Sequence, residues 1–418
     1  MRVLSQETGR LAVRTVAVPD PGDLLDRLPQ PDVLAWIHQG AGLAGWGEAA
    51  RVTLPAGDDR CTAGEKWLRS VFDPADVDDQ VRVRGTGPVA FGTFTFDASS
   101  DGSVLIVPRT VLGRDGRGLA WLTTVSGPDE PDGDTGPSPA VAAPADLEWR
   151  DGSLTGAQWG QAVAEAVTAI KAGRLRKVVL ARDVFATAAE PIDARVLLRR
   201  LADRYPECFT FACDGMVGAT PELLVRRAGR QVSALVLGGT LPRGTDPAQD
   251  EALGDELLAS AKNTEEHAYA VASIRAGLGP LCDTLEVDPR PALLKFPNLQ
   301  HLGTRIRGTL TENGTQKSAL ALAAAVHPPA AVCGTPTATA LELLRDLEHM
   351  DRERYAGPVG WVDAEGNGEW GIALRCGQLS GPTARLFAGC GIVAGSDPAA
   401  EIAETIVKLK PMRDALEG

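Results

Sequence analysis

Some side chains in this chain stand where charge is costly, and these are the ones that could do chemistry. Lys177 opens the apolar run Lys177-Val178-Val179-Leu180-Ala181-Arg182. Stripped of water, a lysine there can serve as a base; at a strand edge it simply reaches out to solvent. The residues alone leave the two readings level. Glu222 is wedged between Gly218-Ala219-Thr220-Pro221 and Leu223-Leu224-Val225. Such a carboxyl can hold its proton and act as an acid, or it can cap the adjoining element. Glu266 shares a charged helical stretch with Lys262, Glu265 and His267, a pattern that most often marks a solvated face. Glu401, Glu404 and Lys408 fall at i, i+3 and i+7 and project from one helix face. That is either a surface stripe of ion pairs or a site for a hard cation such as Mg²⁺. Glycine-rich turns at Gly238-Gly239-Thr240, Gly334-Thr335-Pro336, Gly357-Pro358 and Gly389-Cys390-Gly391 could bring backbone amides up to an anion, but none matches a phosphate loop or a dinucleotide fingerprint.

The elements that must position these residues are legible in outline. Trp159, Val163, Val167 and Ile170 have helical spacing, with Thr155 as cap and Gly173 as stop. Lys177 to Arg182 reads as a buried strand and Asp193 to Tyr205 as a second helix. Gln231 to Leu237 reads as a strand ending at Gly238-Gly239, and Asp250 to Leu278 as one long helical stretch. Leu386 to Val393 is an apolar strand and Pro398 to Leu416 a final helix. Towards the N-terminus, Val104 to Val107 reads as a strand and Phe94-Thr95-Phe96-Asp97 as one arm of a hairpin. Strands and helices do not alternate regularly, so an α+β fold is expected rather than a doubly wound parallel sheet.

Composition sets the outer limits. The 418 residues are 44% apolar, enough for a large buried core, and carry a net charge of -13. That charge argues against nucleic acid or an anionic membrane as partner, though a local basic pocket can still take a small anion. No signal peptide and no membrane-spanning run is read, so the chain is expected in the cytoplasm. Seven scattered cysteines, without a Cys-x-x-Cys pair, read as reduced core residues. The stretch Ser126 to Pro144, rich in Gly, Pro and Asp, reads as an exposed linker between an N-terminal region, 1–145, and a C-terminal region, 150–415.

Taken in order, ten short motifs resemble the chorismate-utilising enzymes, the family of isochorismate, salicylate, anthranilate and aminodeoxychorismate synthases. They are KVVLAR from Lys177, GATPELL from Gly218, GGTLPRG from Gly238, KNTEEH from Lys262 and NLQHLGT from Asn298. HPPAAVCGTP from His327, YAGPVGW from Tyr355, GEWGIALR from Gly368, AGCGIVAGSDP from Ala388 and EIAETIVKLK from Glu401 complete the set. The resemblance is strong over about residues 150 to 415 and faint before that. It implies a single α+β unit, with antiparallel sheets enclosing the active site and helices outside. On that view the linker is a surface excursion within the unit.

The resemblance also implies roles. Lys177 matches the lysine that activates water in the isochorismate and salicylate branches, and Glu222 the acid that protonates the departing hydroxyl. Glu266 and Glu404 match ligands of Mg²⁺, with Glu401 helping through water. Tyr355, Arg375 and Lys408 match residues that hold the enolpyruvyl carboxylate of chorismate. Gly239, Thr240, Gly389 and Gly391 would present backbone or hydroxyl groups to it. Gly238 stands where aminodeoxychorismate synthases carry a nucleophilic lysine, and Ala331 where salicylate and anthranilate synthases tend to carry threonine. These positions point to the isochorismate synthase branch, an isomerase acting as a monomer without a glutaminase subunit. Salicylate synthase is the alternative, with anthranilate synthase component I behind it. Menaquinone and catechol siderophores are both open as destinations. The chain departs from the family at Leu241, where many relatives have arginine, at Cys390, where alanine is common, and at Asn263, where some relatives carry an accessory metal-shell carboxylate.

Overall fold

Strands rich in β-branched and aromatic residues dominate the chain, and they pair into two large sheets. This is seen in a computed structural model that describes residues 10–126 and 141–418. The linker expected at Ser126 to Pro144 falls largely outside the described residues. The larger sheet runs Glu148–Asp151, Lys177–Thr187, Thr383–Ile392, Cys376–Ser380, Met216–Thr220, Phe209–Cys213, Val33–His38, Ala41–Trp46, Thr110–Arg114, Ala120–Ser126, Ala12–Val18 and Asp76–Asp79, with the short Gly334–Thr335 beside the Lys177 strand. The other sheet centres on Gln231–Pro242, Leu223–Ala228, Gly368–Ile372 and Pro358–Asp363. Neighbours are antiparallel except Ala12–Val18 against Asp76–Asp79. The fold is therefore α+β with antiparallel sheets. Both sheets take strands from either side of residue 145: Val33–His38 pairs with Phe209–Cys213, and Val89–Thr93 with Pro358–Asp363.

The inner sheet faces are packed with large apolar side chains, among them Trp36, Phe91, Phe94, Phe211 and Trp370, each at most 2% exposed. Burying a side chain of this size contributes about 1.5–3 kcal/mol. Helices cover the outside. The helix Gly156–Lys171 is capped by Thr155, whose hydroxyl accepts from the Gln158 amide while the Gln158 side chain accepts from Thr155. Its Trp159 indole donates to the Ala181 carbonyl at 3.0 Å and ties it to the Lys177 strand. The final helix, Pro398–Glu417, packs on the strand Thr383–Ile392. Among the described residues no helix is long and apolar enough to cross a membrane. The seven cysteines are unpaired, five of them buried.

Three elements differ from expectation. The long helix over Asp250 to Leu278 is two helices, Pro247–Ala259 and Ala261–Leu278. Ser260 between them has extended backbone, and its hydroxyl caps the second helix by accepting from the Asn263 amide. The strand from Gln231 does not end at the glycines but runs on to Pro242 through a bulge at Gly239, whose φ is +64°. Phe94 to Asp97 is not a hairpin arm. The arms are Val89–Thr93 and Ser103–Val107, and the Phe94 and Phe96 amides bond instead to Pro358 and Glu353.

Candidate active site

The site forms where the Lys177 strand and the strand Thr383–Ile392 lie side by side, with Val179 opposite Gly391 and Ala181 opposite Gly389. Lys177 points inward, its side chain 1% exposed, and its ammonium lies 3.1 Å from Glu266 of the helix Ala261–Leu278. The edge-lysine reading is thereby set aside. Gly391 leaves the room for this pair: a Cβ there would come within 2.1 Å of a Glu266 carboxylate oxygen and 3.1 Å of Lys177 Cε.

Glu222 follows Pro221 at the end of the strand Met216–Thr220 and is buried. Burial raises its pKa to about 7, against the pull of a hydrogen bond from the Leu237 amide and the charges of Lys177, Arg375 and Lys408. It holds a proton over much of the neutral range. A narrow cleft of about 60 Å³ brings Glu222 together with Gly239, Thr240, Glu266, Ala331, Tyr355, Arg375, Gly389, Gly391 and Lys408. Lys177 is not on the wall but directly behind Glu266.

Tyr355 stacks on Phe387 at 4.9 Å, and burial pushes its phenol up to about 12, so the hydroxyl stays neutral. Arg375 is held at φ +50°, a conformation uncommon for a side-chain-bearing residue, at the point where the chain turns past the cleft. The Lys408 ammonium donates to the Gly389 carbonyl at 2.8 Å and pairs with Glu404 at 2.6 Å. Burial works against that charge, but the neighbouring Cys390 sulfur and Glu404 outweigh it and hold its pKa above the ordinary lysine value.

Beyond Lys408, ligand atoms of Glu401, Glu404 and Cys390 lie within 4.8 Å of one another. Burial, and then repulsion from Glu404, raise the Glu401 pKa. Burial also opposes the Glu404 charge, but Lys408 prevails and lowers its pKa. The Cys390 thiol is pushed far up by burial, so it stays protonated. The donors left are two carboxylates, a set that suits a hard divalent cation rather than a soft one. Glu266 is not in this cluster; its carboxylate is engaged by Lys177. Asn263 is also turned away, its side-chain amide donating to Ser260.

Two polar side chains of the cleft were assigned no role from the sequence. His301, within the NLQHLGT motif, has Nδ1 3.1 Å from the Gly239 carbonyl and 3.0 Å from the Thr240 hydroxyl, and so fixes the bulge. Burial, helped by Arg375 and Lys408, lowers its pKa to about 3, so the ring is neutral. Arg352 donates to the carbonyls of Val179 and Val332 and pairs with Glu348, which accepts from the Ala181 amide. It joins the Lys177 strand to the loop that carries Ala331. Its position four residues after Glu348 gives no hint that both are buried.

Comparison with known proteins gives the family. The family model described as "chorismate binding enzyme" matches residues 138–417. The chain is 42% identical over 265 residues to the isochorismate synthase DhbC of Bacillus subtilis, covering 61% of this chain and 66% of that one. To the isochorismate synthase MenF of the same organism it is 35% identical over 381 residues, covering 85% and 80%. The structure of MenF, the menaquinone-specific isochorismate synthase of Escherichia coli, superposes with a TM-score of 0.80 at 27% identity, over 99% of this chain and 96% of that one. The chain belongs to the family of chorismate-binding enzymes.

Proposed function

We propose that this chain is an isochorismate synthase, a Mg²⁺-dependent isomerase that converts chorismate to isochorismate. The observation that carries this reading is the convergence of Lys177 and Glu222 on one buried site, the first an amine beside the cleft, the second a carboxyl that keeps its proton near neutrality. Ala331 and Gly238, both on the wall of the same cleft, favour this branch over the others.

Lys177, neutral at the moment of reaction, takes a proton from water as that water attacks C2 of the ring. On the opposite side Glu222 donates a proton to the C4 hydroxyl, which leaves as water. One water enters and one departs, so the reaction is an isomerisation and needs no redox cofactor. Hydroxide is a poor leaving group, which is why the acid is needed; each proton transfer is worth about 10²–10⁴-fold in rate. Arg375 can grip a carboxylate with two parallel hydrogen bonds. With Tyr355 and Lys408 it holds the enolpyruvyl carboxylate, and Gly239, Thr240, Gly389 and Gly391 line the approach of the substrate. Glu404 and Glu266, with Glu401 assisting, would hold Mg²⁺, which would supply positive charge to offset a substrate carboxylate and orient the ring.

Incubation with chorismate and Mg²⁺, followed by chromatography with mass detection, tests the assignment. A product of unchanged mass and shifted retention, reached from either side of the equilibrium, is expected. Salicylate with pyruvate, or ammonia-dependent anthranilate, overturns it.

A further inference from the structure

Three carboxylates at and beside the site are each matched with a lysine. Glu266 pairs with Lys177 at 3.1 Å, Glu404 with Lys408 at 2.6 Å, and Glu401 with Lys262 at 3.3 Å. The lysines differ in their freedom. The side chains of Lys177 and Lys408 are 1% and 10% exposed, and Lys408 is also fastened to the Gly389 carbonyl. Lys262 is 42% exposed and projects from the first turn of the helix Ala261–Leu278. Its partner Glu401 is 5% exposed and has an oxygen within 4.8 Å of one on Glu404. Two buried carboxylates this close need compensating positive charge. An ammonium on Glu401 provides it, and so would a divalent cation between the two carboxylates.

We propose that Lys262 is an exchangeable counter-ion, which neutralises Glu401 while the carboxylate pair carries no metal and swings into solvent when a divalent cation arrives. This rests on the metal assignment made above. Of the three lysines, Lys262 is the one with an open path to water, so the exchange exposes no buried charge. Its ion pair opposes the incoming cation, and removing it leaves Glu401 free to bind. A half-exposed pair is weakly held, so the gain is modest, about two- to fivefold in affinity.

Mn²⁺ binding to the full chain, read from the free-ion signal by electron paramagnetic resonance, tests this without reference to turnover. Lys262→Met is expected to bind Mn²⁺ about two- to fivefold more tightly than the unaltered chain, with Lys262→Arg close to the unaltered chain. Lys171→Met removes an exposed lysine of the helix Gly156–Lys171 and reports the effect of net charge alone; it is expected to change nothing. Glu404→Gln is expected to weaken binding severely. If Lys262→Met binds no more tightly than the unaltered chain, or Lys171→Met gains as much, the exchange is overturned. In that case a weakened Glu404→Gln still leaves the carboxylate site standing. Mn²⁺ binding that Glu404→Gln does not weaken overturns the metal assignment and the exchange together.

Discussion

A carboxyl group that must hand a proton to a departing hydroxide has to hold that proton at the working pH. Glu222 does so because burial raises its pKa from 4.5 to about 7. Glu222→Gln keeps the shape and loses the proton, so kcat should fall about 10²–10⁴-fold while chorismate still binds. The same shift acts on stability. With the folded value above the unfolded one, protonated Glu222 contributes stability in full below about pH 4.5. That contribution is lost as pH rises through about 7, and its size is on the order of 3 kcal/mol. Glutamine carries no such charge. The stability of Glu222→Gln relative to the native chain should therefore improve between about pH 4.5 and pH 7 and level off above that, read from urea unfolding. Equal slopes against pH in the two proteins would remove burial as the cause. The identities of Lys177 and Glu222 were legible in the sequence because their motifs are. The placement of Lys177 behind Glu266 was not, since it depends on a contact between residues 89 positions apart on different elements. His301 and Arg352 went unassigned for the same reason: their work is to fasten backbone segments that meet only in the folded chain.

The strand Thr383–Ile392 shows why the motif around Cys390 alternates with glycine. On the side facing the cleft it carries Gly389 and Gly391, paired with Ala181 and Val179 of the Lys177 strand. Added bulk at Gly391 meets not backbone but the Glu266 carboxylate and the stem of Lys177. Gly391→Ala should therefore fold, since side-chain ends can give way, but it must push Glu266 off Lys177. Displacing a catalytic group by about 1 Å costs about 10²-fold, so kcat/KM should drop by that factor, and the melting temperature should fall too because the buried Lys177 loses its partner. Activity near that of the native chain would mean the Lys177–Glu266 pair has no part in turnover. At this scale periodicity served well where an element is buried on one face, as in the Lys177 strand and the helix after Thr155. It failed at Ser260, where apolar and charged helix formers continue on both sides and a single extended residue, capping the second helix, breaks the run in two. It failed again at Phe94, where aromatic and β-branched residues bury themselves in a connection and imitate a strand.

Composition divides the chain at its linker, but the sheets do not. Val33–His38 lies between Phe209–Cys213 and Ala41–Trp46, and Val89–Thr93 between Pro358–Asp363 and Ser103–Val107. A chain starting at residue 141 would keep every residue assigned to the chemistry. It would also expose the free edges of Phe209–Cys213 and Pro358–Asp363, together with the core faces that cover Trp370 and Phe211. Unpaired edges flanked by apolar surface favour association between chains over folding. Expressed alone, residues 141–418 should be aggregated or inactive, and co-expression with residues 1–140 should restore turnover and a single unfolding transition. A monodisperse, active 141–418 would show that the N-terminal strands are an appendage. The outcome bears on charge as well as on folding. The whole chain carries a net charge of -13, yet the cleft gathers Lys408, Arg375 and Arg352 at its wall, with Lys177 just behind. Such a concentration of positive groups is held in low dielectric only while both sheets close around it. Recovery of chorismate binding in the recombined halves, and not in 141–418 alone, would place the anion site under the control of the complete double sheet.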